Sequence, residues 1–154
     1  MKPRATPVSP LDAHLGFWMR YVSNQVSAEF ERAVETRGVS VSEWVALRTL
    51  YDQAETTHAA LMAALGMTKG AVSKVVSRLQ DKGLVTRAAH AADARAQVLA
   101  LTPGGRALVP ALAGDADAND DRFFGHLGAR QRRELKTLLR ALVRHHGLAQ
   151  VPVA

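Results

Sequence analysis

Between Gly66 and Arg87 the chain reads GMTKGAVSKVVSRLQDKGLVTR. Wound as a helix from Thr68 to Lys82, it gathers Val72, Val75, Val76 and Leu79 into an arc of about 100°. Gly70, Ser73, Lys74 and Ser77 lie on the opposite side, with Lys69 and Arg78 beside them. A helix face that only meets water carries glutamates and long charged side chains. Glycine and small hydroxyls instead let another surface reach the backbone, and the flanking cations favour a polyanion. The major groove of double-stranded DNA asks for both, because a helix must fit bodily within about 12 Å while cations meet phosphates on the rims. Thr68 in the cap position leaves the positive helix end and its unpaired N–H groups where a phosphate can dock. A merely solvated helix is the plain alternative, and the flanking sequence argues against it.

Other chemistry is sparse. There are no cysteines, which removes disulfides and thiolate metal sites together. Adjacent His145 and His146 diverge by about 100° on a helix, and no H-E-x-x-H spacing occurs. Gly104-Gly105 lacks the Lys-Ser/Thr of a phosphate-binding loop. The expectation is no metal, no cofactor and no enzyme activity; a metal or nucleotide requirement in the purified protein would reverse it.

The chain has 154 residues, 47% apolar and 22% charged, enough for one domain with a real core or one protomer of an intertwined dimer. No apolar run nears the roughly 20 residues that span a bilayer, and MKPRATPVSP has no apolar segment behind its cations. A cytoplasmic protein without membrane contact is expected. The net charge of +6 is a weak pointer to anionic partners, and its distribution says more. From 68 to 95, Lys69, Lys74, Arg78, Lys82, Arg87 and Arg95 face only Asp81 and Asp93. From 130 to 144, six cations accompany Glu134 alone, mostly off the leucine stripe, and are expected to be solvated or paired with acids of a partner chain.

The elements that must position the polar face follow from caps and periodicity. Residues 1–9 read as a loose arm, and Ser9-Pro10-Leu11-Asp12 as the start of a long helix reaching residue 37 before Gly38. Its stripe of Leu11, Leu15, Trp18, Met19, Val22, Val26, Phe30 and Ala33 is longer than a small domain buries, so part of it should meet another chain. Ser40 and Glu43 have capping-box spacing for a second helix to about residue 53. Thr57 caps HAALMAAL, which stops at Gly66; with the helix from Thr68 this is a helix-turn-helix. LVTRA and AQVLAL then form a hairpin with a long tip, a wing beside that motif. Thr102-Pro103 opens a helix to about 123 that Pro110 should bend, and RQRRELKTLLRALVRHHG is a last amphipathic helix with Leu135, Leu138, Leu139, Leu142 and His146 on one stripe. The expected fold is mainly α with a small β-hairpin wing. Residues 10–37 and 103–147 form a helical dimerisation region, 40–101 a winged helix-turn-helix lobe, and 148–154 a tail.

At the wing tip Asp93 and Arg95 are expected on one strand face, the arginine entering the minor groove and the aspartate orienting an arginine by a bidentate pair. The bland alternative is a surface ion pair. Within GDADANDD, Asp115 follows Leu108 and Leu112 on the inward side; it either pairs with an arginine, the reading preferred, or faces a polar pocket between scaffold and lobe.

Over roughly residues 11–146 the sequence resembles the MarR family of bacterial winged-helix regulators. The resemblance is densest in LGMTKGAVSKVVSRLQDKGLVTR, in DAR, and in LALTPGGRAL. It implies an intertwined helical homodimer, its N- and C-terminal helices interlocked, that reads a near-palindromic double-stranded operator with recognition helices about 34–36 Å apart. Thr68, Lys69, Gly70, Ser73, Lys74, Ser77, Arg78, Arg87, Asp93 and Arg95 are then the DNA-binding residues, and Leu11, Leu15, Leu135, Leu138 and Leu142 dimer contacts. Many relatives bind small, often aromatic anions between scaffold and lobe. His14, Trp18, Tyr21, Trp44 and Asp115 are the candidates here, with core packing the preferred role for Trp18. The sequence departs from the family in its alanine-rich wing tip, where many relatives have Pro and a second Arg. Gly128 also replaces a Ser/Thr cap, at a cost of a few tenths of a kcal/mol. The expected function is sequence-specific transcriptional regulation, in the family's usual sense repression released by an effector. A winged-helix protein-interaction module and a nonspecific architectural DNA binder are the alternatives, and the salt dependence of DNA binding separates the first of these from a regulator.

Overall fold

Val72, Val75, Val76 and Leu79 are at most 4% exposed in a computed structural model that describes residues 7–93 and 95–153. The expected arm falls mostly on residues 1–6, outside the described residues. Each of the four buried side chains contributes about 1.5–3 kcal/mol of transfer free energy. They pack with Val34, Ala46, Leu47, Leu50, Leu61, Leu65, Leu99 and Leu112 into one core.

The helices are α1 (Leu15–Thr36), α2 (Val41–Tyr51), α3 (His58–Leu65), α4 (Lys69–Asp81), α5 (Pro103–Phe124) and α6 (Ala129–His145). The strands are β1 (Thr56–Thr57), β2 (Val85–Ala89) and β3 (Gln97–Leu101), in the antiparallel order β1-β3-β2. β1 escapes the periodicity because two residues carry no period; it pairs through Thr56 opposite Leu99 and Thr57 opposite Val98.

Caps explain the boundaries. The Ser40 hydroxyl accepts from the Glu43 N–H at 3.2 Å while the Glu43 carboxylate accepts from the Ser40 N–H at 2.8 Å, a complete capping box. Thr57, Thr68 and Thr102 accept from Ala60, Ala71 and Gly105 N–H groups, opening α3, α4 and α5. Gly66 ends α3 with φ +60°, and the chain turns through 111° into α4. Glu43 is 1% exposed, and Lys82 at the end of α4 supplies its countercharge at 2.7 Å while also donating to the Gly38 carbonyl at 2.8 Å.

Several expectations are corrected. The first helix does not start at Ser9: Leu11–Ala13 is a 3-10 turn, neither Ser9 nor Pro10 gives a side-chain cap, and extended backbone at His14 separates the turn from α1. The second helix ends at Tyr51, short of residue 53. Asp93 and Arg95 lie on neither strand, since β2 stops at Ala89 and β3 begins at Gln97. Trp18 is not packed in this chain's core; it is 52% exposed, and its indole donates to the Asp12 carbonyl at 2.8 Å. His146 is likewise exposed, its ring edge-on to His145. α5 continues past Pro110 to Phe124, and Pro110, lacking an N–H, leaves one backbone bond of the helix unmade as expected.

The α1 stripe divides. Its C-terminal part packs through Phe30 and Val34, whereas Leu15, Trp18, Met19 and Val22 are exposed with Leu11. α6 buries nothing, leaving Leu135, Leu138, Leu139 and Leu142 open along its length. The Gly128 N–H donates to the Gln131 side chain at 2.9 Å, so half a capping box survives without a hydroxyl. Beyond α6 the chain returns to the lobe, where the Val151 N–H donates to the Leu65 carbonyl at 3.1 Å.

Candidate nucleic-acid interface

The same turn-by-turn geometry that buries the valines of α4 puts Gly70, Lys74, Ser77 and Arg78 in solvent. A Cβ added at Gly70 would meet no atom within 4 Å, so the face is open at backbone level. Lys69, Lys74 and Arg78 have no ion-pair partner among the described residues. Their charge is therefore available to an external anion.

Ser73 differs from its neighbours. It is half-buried, and its hydroxyl lies 3.2 Å from Nε2 of His58, the first residue of α3. Partial burial, then the charges of Arg87 and Lys69, lower the pKa of His58 from its ordinary value and so favour the neutral ring. A neutral imidazole can accept the Ser73 proton or donate to its oxygen, fixing the hydroxyl either way. Periodicity could not find this contact, because it joins two helices across a 111° turn. A polar residue in the first turn of the motif's leading helix was the available signal.

Arg87 on β2 reaches toward α4, its guanidinium 3.5 Å from the Ser77 hydroxyl and its Nε buried without a partner. Arg95 joins His58, Lys69, Ser73 and Arg87 around one recess between the wing and α4. The expected bidentate role of Asp93 does not appear. Its carboxylate accepts from the backbone N–H of Arg95 at 3.0 Å, and its carbonyl accepts from Ala96 at 3.0 Å. An Asx turn thus folds the tip, and Asp93 aims Arg95 through the backbone. Thr68 serves as the α4 cap.

The proposed pocket residues do not converge within the chain. His14 and Tyr21 line a shallow recess with Phe17 and Arg20, while Trp44 lines a separate cavity between α1, α2 and α5. Asp115 pairs with Arg37, whose guanidinium holds the carboxyl below the usual carboxylate range. The preferred pairing is therefore present, made within one chain. Of the second basic run, Arg130 pairs with Glu134 and Arg132 with Asp121.

No single helix among the described residues is long and apolar enough to cross a membrane. A family model described as MarR family matches residues 37–96. The HTH-type transcriptional repressor Mb2911 of Mycobacterium bovis is 32% identical over 131 residues, covering 85% of this chain and 94% of the relative. Among solved structures, a probable transcriptional regulator from Pseudomonas aeruginosa is similar with a TM-score of 0.76 and 28% identity over 86% of this chain and 99% of the other. BpsR of Bordetella bronchiseptica, whose DNA binding is regulated by 6-hydroxynicotinic acid, is similar with a TM-score of 0.77 and 25% identity over 88% and 97%. Among the described residues, six α-helices, a small antiparallel wing and a basic face without ion pairs on the second helix of a helix-turn-helix agree with these likenesses, and the chain belongs to the MarR family of winged-helix transcriptional regulators.

Proposed function

We propose that this protein is a homodimeric repressor that binds a near-palindromic double-stranded operator sequence-specifically and leaves it when a small molecule binds. The observation that carries this reading is the open face of α4, where Gly70, Lys74, Ser77 and Arg78 stand in solvent above a fully packed valine stripe. Lys69, Lys74 and Arg78 meet phosphates, Ser73 and Ser77 meet base edges, and the Thr68-capped helix end faces the backbone. Arg87 and Arg95 extend the contact to the wing, with Asp93 shaping the tip. The exposed Leu11, Leu15, Leu135, Leu138 and Leu142 supply the dimer contact, which would bury an apolar area too large to leave in water. Release follows if the effector prefers a lobe spacing that no longer matches successive major grooves.

The test is a mobility shift on DNA upstream of the protein's own gene across a salt series. Log affinity should fall steeply and linearly with log salt, and Lys74→Ala should weaken all sequences while flattening the slope by about one unit. Binding indifferent to sequence, or to salt, would overturn the proposal.

A further inference from the structure

The cavity bounded by α1, α2, α5 and the returning C-terminal segment has a volume of about 390 Å³, enough for a two-ring aromatic molecule. Phe30 and Trp44 are its aromatic walls, and Val151 and Pro152 close one side. Among the described residues its ionisable lining groups are Glu31 and Asp120. Both are exposed at the mouth, and neither makes an ion pair among the described residues. The nearby arginines are already engaged, Arg37 with Asp115 and both Arg32 and Arg122 with Glu29. An anionic ligand would meet two uncompensated carboxylates here, whereas a cation gains from both and from the faces of the aromatic rings.

We infer that this cavity binds a lipophilic cation: an aromatic body held against Trp44 and Phe30 beneath the Val151-Pro152 segment, with an amine or quaternary ammonium head between Glu31 and Asp120. This rests on the reading of the protein as an effector-released regulator and names the chemical class of that effector. The route from ligand to DNA is short. Val151 is hydrogen-bonded to Leu65, and a Cβ at Gly66 would lie 2.6 Å from the Ala149 carbonyl oxygen, so the segment forming one cavity wall lies directly on the turn between α3 and α4. A ligand that shifts this wall displaces a segment bonded to the last residue of α3, just ahead of the turn into α4.

Calorimetry on the full-length protein, with (1-naphthylmethyl)trimethylammonium and 1-naphthylacetate as ligands of matched shape and opposite charge, tests the inference. The cation should bind about tenfold or more tightly than the acid, and the double variant Glu31→Gln with Asp120→Asn should remove about that factor. Both substitutions are exposed and isosteric, so folding should survive; should it not, Glu31→Lys alone is expected to weaken the cation and strengthen the acid. Tighter binding of the acid, binding of neither, or unchanged cation affinity in the double variant would overturn the inference. A mobility shift run beside it separates the two claims, since loss of specific DNA binding in the wild type defeats the regulator reading whatever the calorimetry shows.

Discussion

His58 shows how one side chain can tie the recognition surface to pH. In the free protein its burial and the adjacent Arg87 and Lys69 favour the neutral ring, with Arg95 facing the same recess. Because the folded value lies below the unfolded one, the stability that neutrality brings is present above the unfolded pKa and is lost as pH falls through the folded one. Operator phosphates reverse the local field, so the complex should hold the proton more readily than the free protein and take one up on binding. Affinity for the operator should therefore rise as pH is lowered through the histidine range, and His58→Gln should flatten that dependence while keeping a partner for Ser73. A pH series of mobility shifts in which the variant retains the wild-type slope would refute the role. Gly70, Lys74, Ser77 and Arg78 were legible in the sequence because they share one face of one helix. The Ser73–His58 contact and the backbone use of Asp93 were not, since both depend on how separate pieces meet.

At the scale of elements, caps were the most readable signals, because a hydroxyl three residues before an N–H is a local event. The exception is instructive: Ser9-Pro10 has the right residues, yet the chain stays extended at His14 and makes a 3-10 turn first. The lock between α2 and α4 lies beyond local reading, joining residues 39 apart. Glu43 is needed by its capping box and is buried, so only Lys82 spares it an unpaired charge. Lys82→Met should destabilise the fold by about 1.5–3 kcal/mol, read as a lower urea midpoint, because a hydrogen bond between charged groups is lost. DNA affinity at saturating fold should stay close to wild type, as Lys82 is turned toward Glu43 and Gly38. The α5 start offers a second check. A Cβ at Gly105 would fall 2.1 Å from the Leu84 carbonyl oxygen, so Gly105→Ala must push the helix off the base of the wing and lower the melting temperature. An unchanged melting temperature would mean that this close approach is relaxed at little cost.

For the whole molecule, the unequal use of apolar residues is the decisive feature. The lobe buries its leucines and valines almost completely, while α6 and the first turns of α1 leave theirs in water. The sequence announced these stripes through their period, but a period cannot say whether the covering surface is in the same chain. Among the described residues nothing buries α6, so its stripe and that of α1 fit the proposed second copy. Leu138 is 64% exposed and Leu142 47%, so replacing both with glutamate leaves the lobe core untouched and sets charge on the proposed seam. Sedimentation should then report a monomer with native helical content. Operator affinity should drop by roughly a hundredfold or more, because two linked lobes hold adjacent half-sites far better than one. A variant that remains dimeric would move the interface away from α6. One that becomes monomeric yet binds the operator as before would show that a single winged helix suffices and that the paired half-sites are not read together.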